Sequence, residues 1–180
     1  MLDAIGILYA EKLELHALGP TLSQICDRLS AYQIPETLNH SDFHDNNILY
    51  HEKNHQLTLI DLGEVTVSHP FFSLHSCLFY AKYWNYFNEH DQDYLKIKNA
   101  CLHNFMTFES ESNLLDIFDI TFVLHPLYYI FSVMRLITIC DKKGFRTDFI
   151  GPDGIIKTLQ SQKKNLAGCL RRFILMAKAS

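Results

Sequence analysis

Two short stretches of the chain hold polar side chains suited to chemistry on phosphates. The first runs His40-Ser41-Asp42-Phe43-His44-Asp45-Asn46-Asn47, and the second reads Asp61-Leu62-Gly63. A carboxylate can accept the proton of an attacking hydroxyl, while an amide and a second carboxylate can hold Mg²⁺ against nucleotide phosphates. These residue types predict phosphoryl-transfer chemistry if the fold brings Asp42, Asn47 and Asp61 together.

A β-hairpin between the two stretches would bring them together. Ile48-Leu49-Tyr50 and Leu57-Thr58-Leu59-Ile60 are β-prone runs joined by the polar segment His51–Gln56. In an antiparallel pair the start of one strand lies beside the end of the other, so we expect Asn47 beside Asp61, with the first carboxylate close by. Two carboxylates about 6 Å apart would repel by roughly 3 kcal/mol at an effective dielectric near 20, which favours a bound cation.

Taken together, the two stretches resemble the signatures of the aminoglycoside phosphotransferase and choline kinase family. That family reads H-G-D-x-H-x-x-N-I-L and then I-D-F/W-G-D/E, where this chain reads HSDFHDNNIL and LIDLGE. The resemblance implies that Asp42 is the catalytic base. It implies that Asn47 and Asp61 bind the Mg²⁺ that accompanies ATP, and that His40 and His44 support the loop. The implied reaction is phosphoryl transfer from ATP to a hydroxyl of a small molecule, such as an aminoglycoside or choline.

Two positions depart from the family pattern. Ser41 replaces the usual glycine, a small-for-small change that we expect the loop to tolerate. The family commonly has Asp-Pro and then Asp-Leu, where this chain has His69-Pro70 and Ser73-Leu74. The pattern therefore predicts that the catalytic loop lacks a bracing carboxylate.

The remainder of the chain has helical patterns. Apolar spacing predicts six helices, at Leu2–Leu18, Thr21–Tyr32, about Phe71–Phe87, Asp91–Phe108, Asn113–Cys140 and Gly154–Ala177. Thr21 is a candidate cap, Pro126 should kink its helix, and Asp141–Asp153 is the clearest loop. We expect a mainly α (α+β) fold: the helical C-terminal lobe of a protein-kinase-like fold with a small catalytic hairpin.

We expect one domain over residues 1–180, with the catalytic hairpin at about 39–74 and a helical remainder at 75–180. A kinase fold also uses an N-terminal β-lobe, with a glycine-rich loop and a lysine, to hold ATP. The residues before His40 have helical patterns and include one lysine, Lys12, without a GxGxxG motif. The sequence thus predicts a truncated phosphotransferase lobe that binds Mg-ATP weakly and is inactive or weak alone. Its exposed face should pair as a homodimer or with a separate N-lobe polypeptide.

Composition narrows the class of protein. The chain has 180 residues, of which 48% are hydrophobic and 20% charged, which is typical of a globular protein. A net charge of −4 without basic clusters argues against nucleic acid as a partner. Scattered cysteines and an acidic start favour a cytoplasmic protein. The apolar stretch Ile120–Cys140 contains His125, Pro126 and Arg135, so we interpret it as a buried helix and expect no membrane contact.

Three alternatives stay open at this point. The chain is a non-catalytic lone lobe kept for binding, or a relic, if it shows no turnover at all. It is a metal-dependent hydrolase if four residues of the first stretch ligate a transition metal, namely His40, Asp42, His44 and Asp45. Separately, four acids either line a pocket for a cationic acceptor or form a solvated helix face: Glu109, Glu111, Asp116 and Asp119.

Overall fold

The computed structural model describes residues 7–85, 87–143 and 167–179. The helices are α1 Tyr9–Ala17, α2 Gly19–Ser30, α3 Phe71–Asn85, α4 Gln92–His103 and α5 Glu111–Lys143, and residues 167–179 are also helical. The strands are β1 Thr37–His40, β2 Ile48–His51, β3 Gln56–Leu59 and β4 Val65–Ser68. Single turns of 3₁₀ helix occupy Asp45–Asn47 and Leu62–Glu64. The prediction of a mainly α fold with a small β part is confirmed.

The chain divides into two compact units, and the first comprises residues 1–28 and 123–180. Its described core consists of Ile7, Ile130, Ala167 and Leu170. Two ion pairs join α1 to the last helical segment: Arg171 to Glu11 at 2.5 Å and Lys178 to Glu14 at 3.1 Å. Apolar burial and exposed ion pairs therefore both hold this unit, and the exposed pairs contribute little each.

The second unit comprises residues 29–122 and contains both polar stretches. Its core is built from three helices, with Phe71, Leu74 and Leu78 from α3, Tyr94 and Leu102 from α4, and Leu114, Ile117 and Phe118 from α5. Phe71 and Ile117 are fully buried. Because this core fixes α3, the polar side chains on the opposite face of α3 have a rigid support.

Two antiparallel strand pairs hold the segment from Ser41 to Glu64, which contains most of both polar stretches. The predicted hairpin is present, with β2 pairing β3 so that Ile48 lies opposite Leu59. A second pair, β1 with β4, was not predicted, and it sets His40 opposite Val65. The segment therefore enters from β1 and leaves into β4, which fixes both of its ends.

The start of α2 corrects one prediction. The first helix ends before Gly19-Pro20 as its predicted bound at Leu18 requires, since α1 ends at Ala17. Thr21 was expected to cap the second helix, but α2 already begins at Gly19. Proline suits the first turn of a helix because its missing N–H needs no partner there. Thr21 therefore lies inside the first turn rather than at the cap, and the Leu18 amide bonds back to Glu14 at 3.1 Å.

Several predicted boundaries fall partly beyond the described residues. The first residues of the predicted Leu2–Leu18 helix lie outside them. The predicted loop Asp141–Asp153 is wrong at its start, since α5 continues to Lys143, and its remainder lies outside the described residues. Of the predicted helix Gly154–Ala177, residues 167–177 are helical and the others lie outside as well.

Within the described residues, one helical stretch is long and apolar enough to cross a membrane, Glu111–Ser132. That test uses only length and composition, and the core helix of a globular protein also passes it. Leu114, Ile117 and Phe118 of this stretch lie in the core of the second unit. A core helix therefore accounts for the apolar character of these residues.

Candidate active site

The loop from Ser41 to Asn47 connects β1 to β2, and His44 organises it. The Nδ1 atom of His44 accepts a hydrogen bond from the Asn46 amide at 3.2 Å, so the ring proton of the neutral form is on Nε2. Nε2 lies 3.3 Å from Oδ2 of Asp42. His44 therefore connects the turn that ends the loop to the carboxylate proposed as the base.

The side-chain amide of Asn47 has a defined orientation. Its Nδ2 atom donates to the backbone carbonyl oxygen of Asp42 at 2.8 Å and lies 3.3 Å from Oδ2 of that residue. Since a carbonyl oxygen only accepts, the atom beside it must be the amide nitrogen. Oδ1 of Asn47 has no hydrogen-bond partner among the described residues. The loop thus presents an amide oxygen, a ligand type that Mg²⁺ accepts.

Asp61 lies beside this loop because the preceding residue is held from two directions. The amide of Ile60 donates to the carbonyl of Asn47 at 3.0 Å, and Nε2 of His40 donates to the carbonyl of Ile60 at 2.9 Å. Asp61 itself is exposed and has left-handed backbone angles, φ 56° and ψ 54°. Such angles are unfavourable for a non-glycine residue and are concentrated at functional sites.

His40 is buried, with 5% of its surface exposed. Because Nε2 donates to a carbonyl, the neutral ring carries no proton on Nδ1, and Nδ1 has no partner within the described residues. The resemblance implied that His40 supports the loop. The observed contact of His40 is with the carbonyl of Ile60. His40 therefore supports the residue that immediately precedes Asp61.

A family model described as the phosphotransferase enzyme family, APH, matches residues 4–100, more than half of the chain. The chain belongs to this phosphotransferase family. Neither a curated protein nor a solved structure gives a significant match. The match contains both polar stretches, from β1 through β4, and α3. The suspected resemblance is confirmed, and the family indicates kinase-like phosphoryl transfer as the chemistry of this chain.

Ser73 stands where this phosphotransferase family commonly has an aspartate, and it braces the loop. The amide of His40 donates to Oγ of Ser73 at 3.0 Å. Oγ in turn donates to Oδ1 of Asn39 at 2.8 Å. Asn39 is fully buried, and its Nδ2 donates to the carbonyls of Thr37 at 3.2 Å and Ser68 at 2.7 Å. The carboxylate is missing as predicted, but a hydroxyl and an amide brace the loop in its place.

Tyr80 is a second contact that the sequence analysis missed. Its hydroxyl donates to Oδ1 of Asp42 at 2.7 Å, and the edge of its ring packs on His44 with centroids 4.8 Å apart. Ser73 and Tyr80 are separated by two helical turns, so both lie on the face of α3 that meets the loop. That spacing of polar side chains in an apolar helix was the available signal.

His69 replaces the other common aspartate of the family. Its Nδ1 accepts from the amide of Phe71 at 3.2 Å, so it serves an unpaired donor at the start of α3. Burial lowers the pKa of His69 to about 4. Its Nε2 is buried without a partner in the described part of the chain. At neutral pH, His69 therefore supports the helix as an uncharged side chain.

Two of the four acids considered for an acceptor pocket have structural partners. The carboxylate of Glu109 accepts from the amide of Gln33 at 2.7 Å and from Asn113 at 2.8 Å, and these hydrogen bonds lower the pKa of Glu109. The hydroxyl of Tyr32 donates to Asp116. Glu109 and Asp116 thus tie the segment after α2 to the start of α5.

The hydrolase alternative receives no support from the site. Among the residues that the structure describes, no group of three or more His, Cys, Asp or Glu side chains could hold a metal ion. Nε2 of His40 is used on Ile60, and Nδ1 of His44 is used on Asn46. The donor set that remains is an amide oxygen and a carboxylate, which favours Mg²⁺ over a transition metal.

Proposed function

We propose that this chain is the catalytic lobe of a kinase that transfers the γ-phosphoryl group of ATP to a hydroxyl of a small molecule. The observation that carries the proposal is the orientation of Asn47. Its amide nitrogen is bonded to Asp42, and its amide oxygen has no partner among the described residues. Asp61 follows the residue bonded to the Asn47 carbonyl. A base and two oxygen ligands are thus supported by one loop.

Asp42 accepts the proton in this reaction. The hydroxyl oxygen of the acceptor forms a bond to the γ-phosphorus, and the bond from that phosphorus to the β–γ bridging oxygen breaks, leaving its electron pair on ADP. The acceptor's proton passes to the carboxylate of Asp42. That side chain is 38% exposed, which gives an acceptor access while three side-chain donors hold the carboxylate.

Asn47 and Asp61 would hold Mg²⁺. Both supply oxygen atoms without a competing hydrogen bond from the described residues, and two protein ligands suffice where phosphates and water complete the shell. When bound, Mg²⁺ neutralises charge on the phosphates. The left-handed backbone of Asp61 fixes the position from which its carboxylate extends.

The same proposal includes weak activity of this chain alone. Residues 9–40 form α1, α2 and β1, and Lys12, the one lysine before His40, lies in α1. A glycine-rich, lysine-bearing pair of strands is not among these described elements. Positioning and charge stabilisation supply most of the catalysis in phosphoryl transfer. We therefore expect full turnover only when a β-lobe covers the nucleotide.

ADP formation tests the proposal, measured at high protein concentration with Mg-ATP and a panel of aminoglycosides, choline, sugars and amino-alcohols. Asp42→Asn should lower the rate by about 100-fold or more, since it removes the base. Asp45→Asn is the matched control, an exposed acid of the same loop, and should leave the rate unchanged. Equal rates for wild type and Asp42→Asn would refute the catalytic role. A loss with Asp45→Asn would instead favour the hydrolase alternative.

The hairpin also carries an apolar surface. Four large apolar side chains of the hairpin and one of the turn that follows it are 45–67% exposed: Leu49, Tyr50, Leu57, Leu59 and Leu62. Tyr50 lies opposite Leu57, and Leu59 is two residues further along the same strand, so these three side chains share one face of the hairpin. An exposed apolar face of this kind marks interaction sites on globular proteins. This exposure supports a second part of the proposal, that the surface pairs with another copy of the chain or with a β-lobe polypeptide.

A further inference from the structure

The carboxylate of Asp42 has most of its hydrogen-bonding capacity occupied. A carboxylate offers about four lone-pair directions. Oδ2 faces two donors of its own loop, Nε2 of His44 and Nδ2 of Asn47, each at 3.3 Å. Oδ1 accepts one hydrogen bond, from the hydroxyl of Tyr80 at 2.7 Å. The remaining direction is on Oδ1.

The two oxygens of Asp42 are therefore not equivalent. The two donors that face Oδ2 belong to the loop itself and lie 3.3 Å away. Hydrogen bonds of this length are weak, so they alone would hold the carboxylate loosely. The short bond from Tyr80 stops rotation of the carboxylate and comes from α3, a helix anchored in the core through Phe71 and Leu78. Tyr80 is itself held by the packing of its ring on His44.

We propose that Tyr80 is a positioning residue that fixes Oδ1 of Asp42 as the oxygen receiving the acceptor's proton. The proposal rests on the proposed function and adds a residue outside the catalytic loop. The Tyr80 hydroxyl shares Oδ1 with the incoming hydroxyl, so it also limits the direction from which an acceptor approaches. Proton transfer depends steeply on such alignment.

The test compares Tyr80→Phe, which removes only the hydroxyl, with Tyr83→Phe. Tyr83 lies on the same helix, is 67% exposed and stacks on Phe79, so it is a matched control. The first measurement needs no nucleotide: NMR of the Asn47 side-chain amide and the His44 ring nitrogens. Loss of the Tyr80 bond should shift both sets of resonances in Tyr80→Phe and in neither for Tyr83→Phe. The same spectra report whether each variant is folded.

The second measurement is steady-state kinetics with Mg-ATP and the acceptor that gives most ADP, or water as acceptor. Tyr80→Phe should lower kcat by about tenfold with an unchanged KM for ATP, since only the alignment of the base is lost. Tyr83→Phe should change neither constant. A Tyr80→Phe variant that matches Tyr83→Phe in its spectra or in kcat overturns the inference. Where the wild-type chain alone shows no turnover, as a lobe without its β-lobe allows, the NMR comparison alone decides the role of Tyr80.

Discussion

The backbone amide of His40 donates a 3.0 Å hydrogen bond to the hydroxyl of Ser73, across 33 positions of sequence. The family pattern has an aspartate at the position of Ser73. Here the Ser73 hydroxyl accepts from the His40 amide and donates to Oδ1 of Asn39. The side-chain nitrogen of Asn39 in turn donates to two backbone carbonyls. Uncharged groups therefore support the loop between β1 and β2.

Removing the Ser73 hydroxyl should destabilise the protein. Ser73→Ala removes the acceptor of the His40 amide and leaves Oδ1 of the buried Asn39 with only the Ser73 backbone amide, at 3.3 Å, which should lower the free energy of unfolding by about 1–3 kcal/mol. Chemical denaturation measures it. Ser68→Ala is the matched control, because the Ser68 hydroxyl is buried without a partner in the described residues, and its loss should be neutral or stabilising. A cost for Ser68→Ala as large as that for Ser73→Ala would contradict the account.

Substitutions at Asp61 should separate charge from backbone strain. Asparagine tolerates the left-handed conformation, so Asp61→Asn should leave the free energy of unfolding within about 0.5 kcal/mol of wild type. Asp61→Ala should cost about 1 kcal/mol more than Asp61→Asn, since alanine adopts φ near 56° poorly. Thermal unfolding of the two variants checks the difference. Equal stabilities would mean that the left-handed conformation does not constrain this position.

Acid should destabilise the second unit partly through His69. The pKa of His69 is about 4 in the folded chain against an ordinary value of 6.5, so between these pH values the unfolded chain binds a proton that the folded chain does not. The contribution of neutral His69 to the free energy of unfolding is thus complete above pH 6.5. It falls as the pH drops to about 4 and is constant at lower pH.

The variant His69→Asn keeps an acceptor for the Phe71 amide and cannot titrate. Unfolding free energies across that pH range should fall less steeply for His69→Asn than for wild type. The unfolding free energy of His69→Asn should still depend on pH to some extent, because burial also lowers the pKa of His125 to about 4. His90→Gln, at an exposed histidine, should keep the wild-type slope. Identical slopes for His69→Asn and wild type would show that His69 is not held neutral.

Self-association should be measurable by sedimentation. We expect a species of about twice the 20.9 kDa chain mass at micromolar concentration. Leu57→Glu tests the hairpin, and Leu13→Glu tests the helices before β1, where Leu13 is 52% exposed. Dissociation by Leu57→Glu alone would assign the contact to the hairpin. A monomer in the wild type would contradict self-pairing and leave the β-lobe polypeptide as the proposed partner.

The hairpin was predictable because its signal is local. Alternating β-prone residues flank a short polar turn, and the register follows from the turn, with Ile48 opposite Leu59. The β1–β4 pair was missed because its two strands lie distant in sequence, with Thr37 opposite Ser68. Ladder pairing over such a separation depends on the tertiary fold rather than on local propensity.

The residues of the site divide in the same way. Asp42, Asn47 and Asp61 are predicted from their spacing, which is tied to the hairpin. Ser73 and Tyr80 contact the loop only because α3 packs beside it, and neither residue belongs to a recognised catalytic sequence motif. The orientation of the Asn47 amide also depends on the folded loop, since the Asp42 carbonyl selects it.

The most direct measurement of the central claim is paramagnetic relaxation by Mn²⁺ bound with ATP, followed by NMR of the backbone amides. Mn²⁺ takes the oxygen ligands proposed for Mg²⁺ and broadens nearby resonances even when binding is weak. The account predicts broadening centred on Asn47 and Asp61, reaching Asp42, and abolished by Asp61→Asn. Broadening that is spread evenly over the chain, or that persists in Asp61→Asn, would contradict a phosphotransferase metal site at this loop.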